Sequence, residues 1–415
     1  MTIIRKSLLQ FIFSGTTMKR WNDKLRPVEL LEVDKQAHKM MAAWMLFMLN
    51  ARGLDPVARR ELGDAVVEGG LYDYFYRLVI TDIKPPIFYK IKENPEHYRQ
   101  LTAWVLDQLE PLLLPVGREF WDRFRARLSQ PPGAAGLAGR ILDAAHLYAS
   151  SWEFNLIKDL GPWDDEKAGI EQSFTDGLRR FEDLAGVSEL MAGPQSVLGR
   201  FAHLCGQLRF QTRWSQTPRI PETSVLGHLF IVAAYAWFLS LAVGACPARR
   251  QNNFFAGLFH DLPEVLTRDI ISPVKKSVRT IGDLIRQYED SELERRVYGP
   301  LEAGGFADLS ARLGYFLGRE TGSEFQAVVV RAGAVRAVGW EELQGPGNRD
   351  DQDPKDGELL KVCDSLAAFV EAYSALRNGI SSDQLQQAVW RLRQHYQTYA
   401  LGDELHVGAL LADFD

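Results

Sequence analysis

Apolar residues recur at intervals of three and four over 36–50, 101–114, 225–243, 254–260, 359–376 and 383–399. That is the repeat of helices with a buried face. Period-two alternation is scarce, and one run, Phe325 to Val338, is β-branched enough to read as a strand. Leu229 to Cys246 carries no charge over 18 residues, which reaches the length of a membrane span. It follows His228, contains Tyr235, Trp237 and Ser240, and has no second span beside it. It therefore reads as the core helix of a large helical protein. From 345 to 358 the sequence GPGNRDDQDPKDGE is dense in Gly, Pro, Asn and Asp, which predicts a mobile, solvated loop. A calcium loop's spacing and closing Glu are absent there. The whole pattern predicts an all-α fold.

The pattern comes twice. Arg20-Trp21 and Arg213-Trp214 each precede a short Pro-containing stretch and then a helical segment with one histidine, His38 or His228. Gly69 to Pro86 aligns with Ala256 to Pro273 without a gap, so that Leu71 meets Leu258, Asp82 meets Asp269 and Pro86 meets Pro273. The segment around Asp143 matches the one around Asp364. Three matches in one order predict a tandem duplication. Its expected domains are 1–190 and 191–415, joined near the breaker Ala192-Gly193-Pro194, with a polar insertion near 320–358 in the second.

Composition changes this picture little. The chain has 415 residues, 46% apolar and 25% charged, with a net charge of -6, so a soluble protein with a sizeable core and no overall basic face for nucleic acid is expected. Cys205, Cys246 and Cys363 form no paired motif, which points to buried thiols in a reducing cytoplasm. The short apolar run at the N-terminus lacks a cleavage site and is not read as a signal peptide. The expected setting is cytoplasmic, without membrane or stable nucleic-acid partner.

Candidate chemistry sits in the second copy. Adjacent helical residues diverge by about 100°, so His260 and Asp261 reach one ion only where the backbone turns. Pro263 supplies that turn. With His228 from an earlier helix and Asp364 from a later one, the set is two imidazoles and two carboxylates. It suits one divalent ion: Mn, Co, Fe, Ni, Zn or Mg. Glu264 returns to the face of His260 if the helix resumes. His203, His395 and His406 have no partner pattern, and Glu222 reads as a helix-start charge.

The string RW…PETSVLGH…GLFHDLPEVLTRDIISPVKK…KVCDSLAAFVEAY resembles the HD-domain phosphohydrolases, in particular the bacterial HD-type 5′-nucleotidases that act on deoxyribonucleoside monophosphates. Arg213, Trp214, Pro221-Glu222, His228, His260, Asp261, Glu264, Asp269, Pro273-Val274-Lys275 and Asp364 fall on that pattern. The family usually has Ser-Glu before the first histidine, where this chain has Leu226-Gly227; the difference bears on substrate contacts or subunit packing, not on the ligands. The resemblance implies hydrolysis of a phosphorylated small molecule, a nucleotide. The metal would be held by His228, His260, Asp261 and Asp364, with Glu264 and Asp269 as catalytic candidates. Arg213 and Lys275 would hold phosphate, and Trp214 either packs on the sugar or base or belongs to the core. Alternatives are a nucleoside triphosphate or a cyclic or oligonucleotide phosphodiester as substrate, or nucleotide sensing with little turnover.

The first copy is degenerate. Asp73, Tyr74 and Arg77 stand at the positions of His260, Asp261 and Glu264. A metal-free structural copy is expected, with a rebuilt site from His38, Asp73, Asp143 and His146 as the lesser reading, and Arg20 and Lys84 as possible anion contacts. Because HD nucleotidases are typically dimers, the resemblance implies two HD-like bundles in one chain paired as an internal pseudo-dimer, or a homodimer.

Overall fold

The structure is a computed structural model that describes residues 3–130, 136–162, 164–268 and 279–415. It is all-α. Helices in the first half are α1 (Lys6–Phe13), α2 (Glu32–Asn50), α3 (Pro56–Ile80), α4 (Pro85–Glu93), α5 (Pro95–Leu113), α6 (Arg118–Leu128), α7 (Gly136–Ile157), α8 (Glu166–Arg179) and α9 (Val187–Ala192). The second half has α10 (Val197–Gln207), α11 (Val225–Ala242), α12 (Pro247–Phe259), α13 (Glu264–Thr267), α14 (Arg279–Leu293), α15 (Gly299–Ala303) and α16 (Ala307–Phe316). A hairpin of β1 (Val328–Arg331) and β2 (Ala334–Ala337) follows, then α17 (Trp340–Gln344), α18 (Gly357–Arg377) and α19 (Asp383–Tyr396). A two-residue pair, β3 (Ala400–Leu401) and β4 (Leu405–His406), leads into α20 (Val407–Ala412).

α2 and α11 pack against each other at the centre, and nearly every residue of both is buried. α3 and α7 cover α2, while α12 and α18 cover α11. One apolar cluster runs through both halves, from Leu8 to Phe414. α11 is the one helix among the described residues long and apolar enough to cross a membrane, and it is 89% buried, the core position expected from its sequence.

The central crossing is close. A Cβ on Gly227 would lie 2.6 Å from Asp34 Oδ1 and 2.9 Å from Val33 Cγ1. Asp34 in turn accepts from Ser224 Oγ at 2.7 Å, so the glycine leaves room for a carboxylate from the other half. The Leu226-Gly227 departure therefore lies at a helix crossing between halves. The outer helices are exchanged across it. Tyr235 Oη of α11 donates to Leu9 O of α1 at 2.9 Å, and His38 Nε2 of α2 pairs with Ala202 O of α10 at 2.9 Å.

Each central helix is entered through the same local geometry. Arg20 N–H donates to Leu30 O and Glu32 N–H to Met18 O; Arg213 N–H donates to Thr223 O and Val225 N–H to Gln211 O. Trp21 and Trp214 both have positive φ, 55° and 58°, as do Thr81 and Arg268, 55° and 67°. Such values are uncommon outside glycine.

Two sequence expectations change. The run 325–338 is a hairpin whose turn residues Ala332 and Gly333 have φ 51° and 77°, the left-handed pair that suits a two-residue hairpin loop. Residues 345–358, expected to be a mobile solvated loop, instead clamp α12. Asn348 Oδ1 accepts from Cys246 N–H and Asp350 Oδ1 from Ala248 N–H, both at 2.9 Å. Asp356 is fully buried against Arg249 at 2.5 Å. Their polarity serves a helix N-terminus, whose N–H groups lack partners within the helix, and a buried guanidinium.

Candidate metal centre

His228 lies in the first turn of α11, where Ser224 caps the helix by accepting from Gly227 N–H at 2.8 Å. His260 ends α12, and the chain turns at Asp261 and Leu262 before α13 starts at Glu264. This is the break at a helix end that the His-Asp pair requires. α18 carries Asp364 past the same point.

The four side chains meet. His228 Nε2 lies 3.2 Å from Asp364 Oδ1 and 3.9 Å from Asp261 Oδ2, and His260 Nε2 lies 3.3 Å from that same Asp261 oxygen. Donor atoms of His228, His260 and Asp261 all fall within 4.8 Å of one another. His260 Nδ1 faces Gly257 O at 2.8 Å; a carbonyl only accepts, so Nδ1 carries the proton and Nε2 is turned to the cluster. His260 Nε2 is buried without a hydrogen-bond partner, as expected of an atom aimed at an ion. Burial opposes protonation of His260, but Asp261 prevails and lifts it to about 9. In the metal-free protein this proton offsets part of the carboxylate charge.

Glu371, fully buried two turns along α18 from Asp364, stands behind His228, with Oε1 3.4 Å from Nδ1. It also accepts from Trp214 Nε1 at 2.8 Å and Thr223 Oγ1 at 2.9 Å. Burial would raise its pKa, but Arg213, Arg219 and His228 hold it well below the usual carboxylate range. A carboxylate on the far nitrogen fixes a ligating imidazole's tautomer and raises its basicity. Sequence reasoning missed Glu371. A lone carboxylate in the apolar run AFVEAY, seven residues after Asp364 and so on one helical face, was the available signal.

Of the remaining candidates, Arg213 lies within the site, its Nη1 3.4 Å from Asp261 Oδ2 and its Nε 3.5 Å from Glu371 Oε2. Trp214 spends its N–H on Glu371 and packs against a small cluster with Ala372, Ala375 and Leu385. Glu264 is buried at the start of α13, close enough to Arg213 to favour its charged form, and its carbonyl accepts from Gln211 Nε2 at 2.9 Å. Lys361 adds a cation at 2.8 Å from Asp364 Oδ2. Asp269 and Lys275 lie outside the described residues.

In the first half, the shared bonds correct the register of two expected matches. Trp21 Nε1 donates to Glu153 as Trp214 does to Glu371. Counting seven residues back from each glutamate sets His146, not Asp143, against Asp364. Counting forward from the tryptophans sets Lys35, not His38, against His228. His38 is instead fully buried and tied to Ala202. Lys84 pairs with Glu166 and Asp23 on the surface.

Residues 205–393 match the family model described as HD domain, a family generally of metal-dependent hydrolases. The C-terminal half is thus similar to the HD domain over that span. No curated protein and no solved structure matches the chain.

Proposed function

We propose that the C-terminal half is a divalent-metal-dependent phosphohydrolase acting on a nucleotide, of the nucleoside 5′-monophosphate type. The observation that carries this reading is the convergence of His228, His260, Asp261 and Asp364, with His260 Nε2 presented to the cluster and Glu371 seated behind His228. The set is mixed nitrogen and oxygen, which fits Mn, Co, Fe, Ni, Zn or Mg. When bound, such an ion lowers the pKa of a water and polarises a phosphoryl oxygen.

The chain's own residues supply the rest. Arg213, braced by Asp261 and Glu371, offers a guanidinium to a phosphoryl oxygen in a planar fork. Glu264, one turn past His260, is the candidate to accept the proton of the attacking water. Lys361 offsets charge on Asp364. The nucleotide preference rests on the motif set from Arg213 to Asp364.

The test is phosphate release from a panel of nucleoside mono- and triphosphates and cyclic dinucleotides. Metal-stripped protein is resupplied with Mn, Co, Mg, Ni or Zn, beside Asp261→Ala. Metal-dependent release from a monophosphate, absent in the variant, is expected. No turnover with metal bound would overturn the reading.

A further inference from the structure

The pocket of the first half is built on the same frame with its charges reversed. Arg20 bridges Glu32 and Glu153, each at 2.8 Å, and Trp21 Nε1 donates to Glu153 at 3.1 Å. Where the second half has His228, this half has Lys35; where it has His260 and Glu264, this half has Asp73 and Arg77. The Asp73 carboxylate is taken by Lys39, one turn beyond Lys35 on α2, at 2.5 Å. Tyr74, in line with Asp261, has left the pocket: it is fully buried and its Oη donates to Ile12 O at 2.6 Å.

Among the ion-paired groups cations exceed carboxylates, five to four. Arg20, Lys35, Arg77 and Arg209 meet Glu32, Asp82 and Glu153 in one connected set of ion pairs, and Lys39 with Asp73 forms a separate pair beside it. Lys35 and Lys39 are each about 95% buried or more, and among the described residues each has one carboxylate partner, Glu32 at 3.4 Å and Asp73 at 2.5 Å. An ammonium has three N–H donors, so both retain capacity. The cluster reaches the surface on one side, where Asp73 is 44% exposed, Asp143 is exposed and His146 is half-buried. Burial holds His146 well below its ordinary pKa, with Lys35, Lys39, Arg20 and Lys92 adding to the effect; the field here is positive.

We propose that this pocket binds a phosphate dianion, free or as the head of an ester, without a metal and without hydrolysing it. Lys35 and Lys39 take the place of the ion, and Arg20 and Arg77 flank the anion. Hydrolysis is lost because Arg77 stands where Glu264 would receive a proton. The inference concerns a second site and stands whether or not the C-terminal half turns over a nucleotide.

The experiment is calorimetric titration of the full chain in EDTA, with inorganic phosphate and adenosine 5′-monophosphate as separate probes to tell the free ion from the ester head. Saturable binding of at least one probe, one per chain, is expected. It should weaken at least tenfold in Lys35→Gln. Arg77→Gln, at a more exposed position, covers the case in which Lys35→Gln does not fold, and should weaken binding at least threefold. No saturable binding of either probe, or full affinity in folded Arg77→Gln, would overturn the proposal.

Discussion

The two halves hold the same Arg-Trp-Glu frame and fill it with opposite chemistry. In the second half Asp261, Asp364 and Glu371 surround two imidazoles, with Arg213, Arg219 and Lys361 set around them. In the first half the corresponding space holds Lys35, Lys39 and Arg77 around Glu32 and Asp73. Imidazole nitrogens and carboxylate oxygens that meet at one point suit a cation from outside. The first half has built its cations into the chain. The lesson is that a frame of backbone arms and one buried glutamate sets where a site stands, while a few side chains on the central helices and those packed on them set the sign of what it holds.

The strongest way to break this comparison is to separate the halves. Residues 194–415 alone would expose the faces of α11 that α2 covers, and a large bare apolar surface drives aggregation. We expect an insoluble or inactive fragment; a soluble, fully active one would show that the halves do not work as an internal pair. Next in size, Asp261→Asn should lower metal-dependent phosphate release on the order of a thousandfold, whereas Asp143→Asn, at an exposed first-half carboxylate, should leave it within about twofold, as surface substitutions usually do. Steady-state assays of the two variants check this. Glu371→Gln should cost about 10–100-fold in metal affinity, read by competition with a chelating dye, while the matching Glu153→Gln should act on stability. Glu153 is fully buried between Arg20 and Arg209, so denaturant unfolding should show a loss of about 3 kcal/mol.

The smallest effect is a pH dependence. His260, lifted to about 9 by Asp261 against the opposing effect of burial, holds a proton below that pH in metal-free protein. Metal must expel it, so apparent affinity should rise roughly tenfold per pH unit toward about 9 and then flatten. For the metal-free fold the sign is opposite: the proton stabilises below the unfolded pKa of about 6.5, and that stability is lost as pH rises through about 9. Flat affinity between pH 6 and 9 would contradict a proton held by His260 in the metal-free protein.

Much of this was legible in the sequence. Helical period placed α2, α5, α11, α18 and α19, and Pro263 after His-Asp marked the turn that brings both ligands together. Other features were not. Matching histidine to histidine hid Lys35, although the distance from each Arg-Trp pair pointed to it. Glu371 looked like one charge in an apolar helix until its partner His228 arrived from another element. The acidic insertion looked solvated because composition cannot show that Asp350 and Asp356 meet the start of α12 and Arg249. In each case the missing information was a long-range contact, which local pattern does not encode.

The most direct test of the opposed pockets is the location of metal in crystals of the full chain soaked in Mn, read by anomalous scattering. The account predicts one strong peak per chain, among His228, His260, Asp261 and Asp364, and none beside Lys35 and Asp73. A peak in the first-half pocket, or no peak among the four ligands, would contradict it.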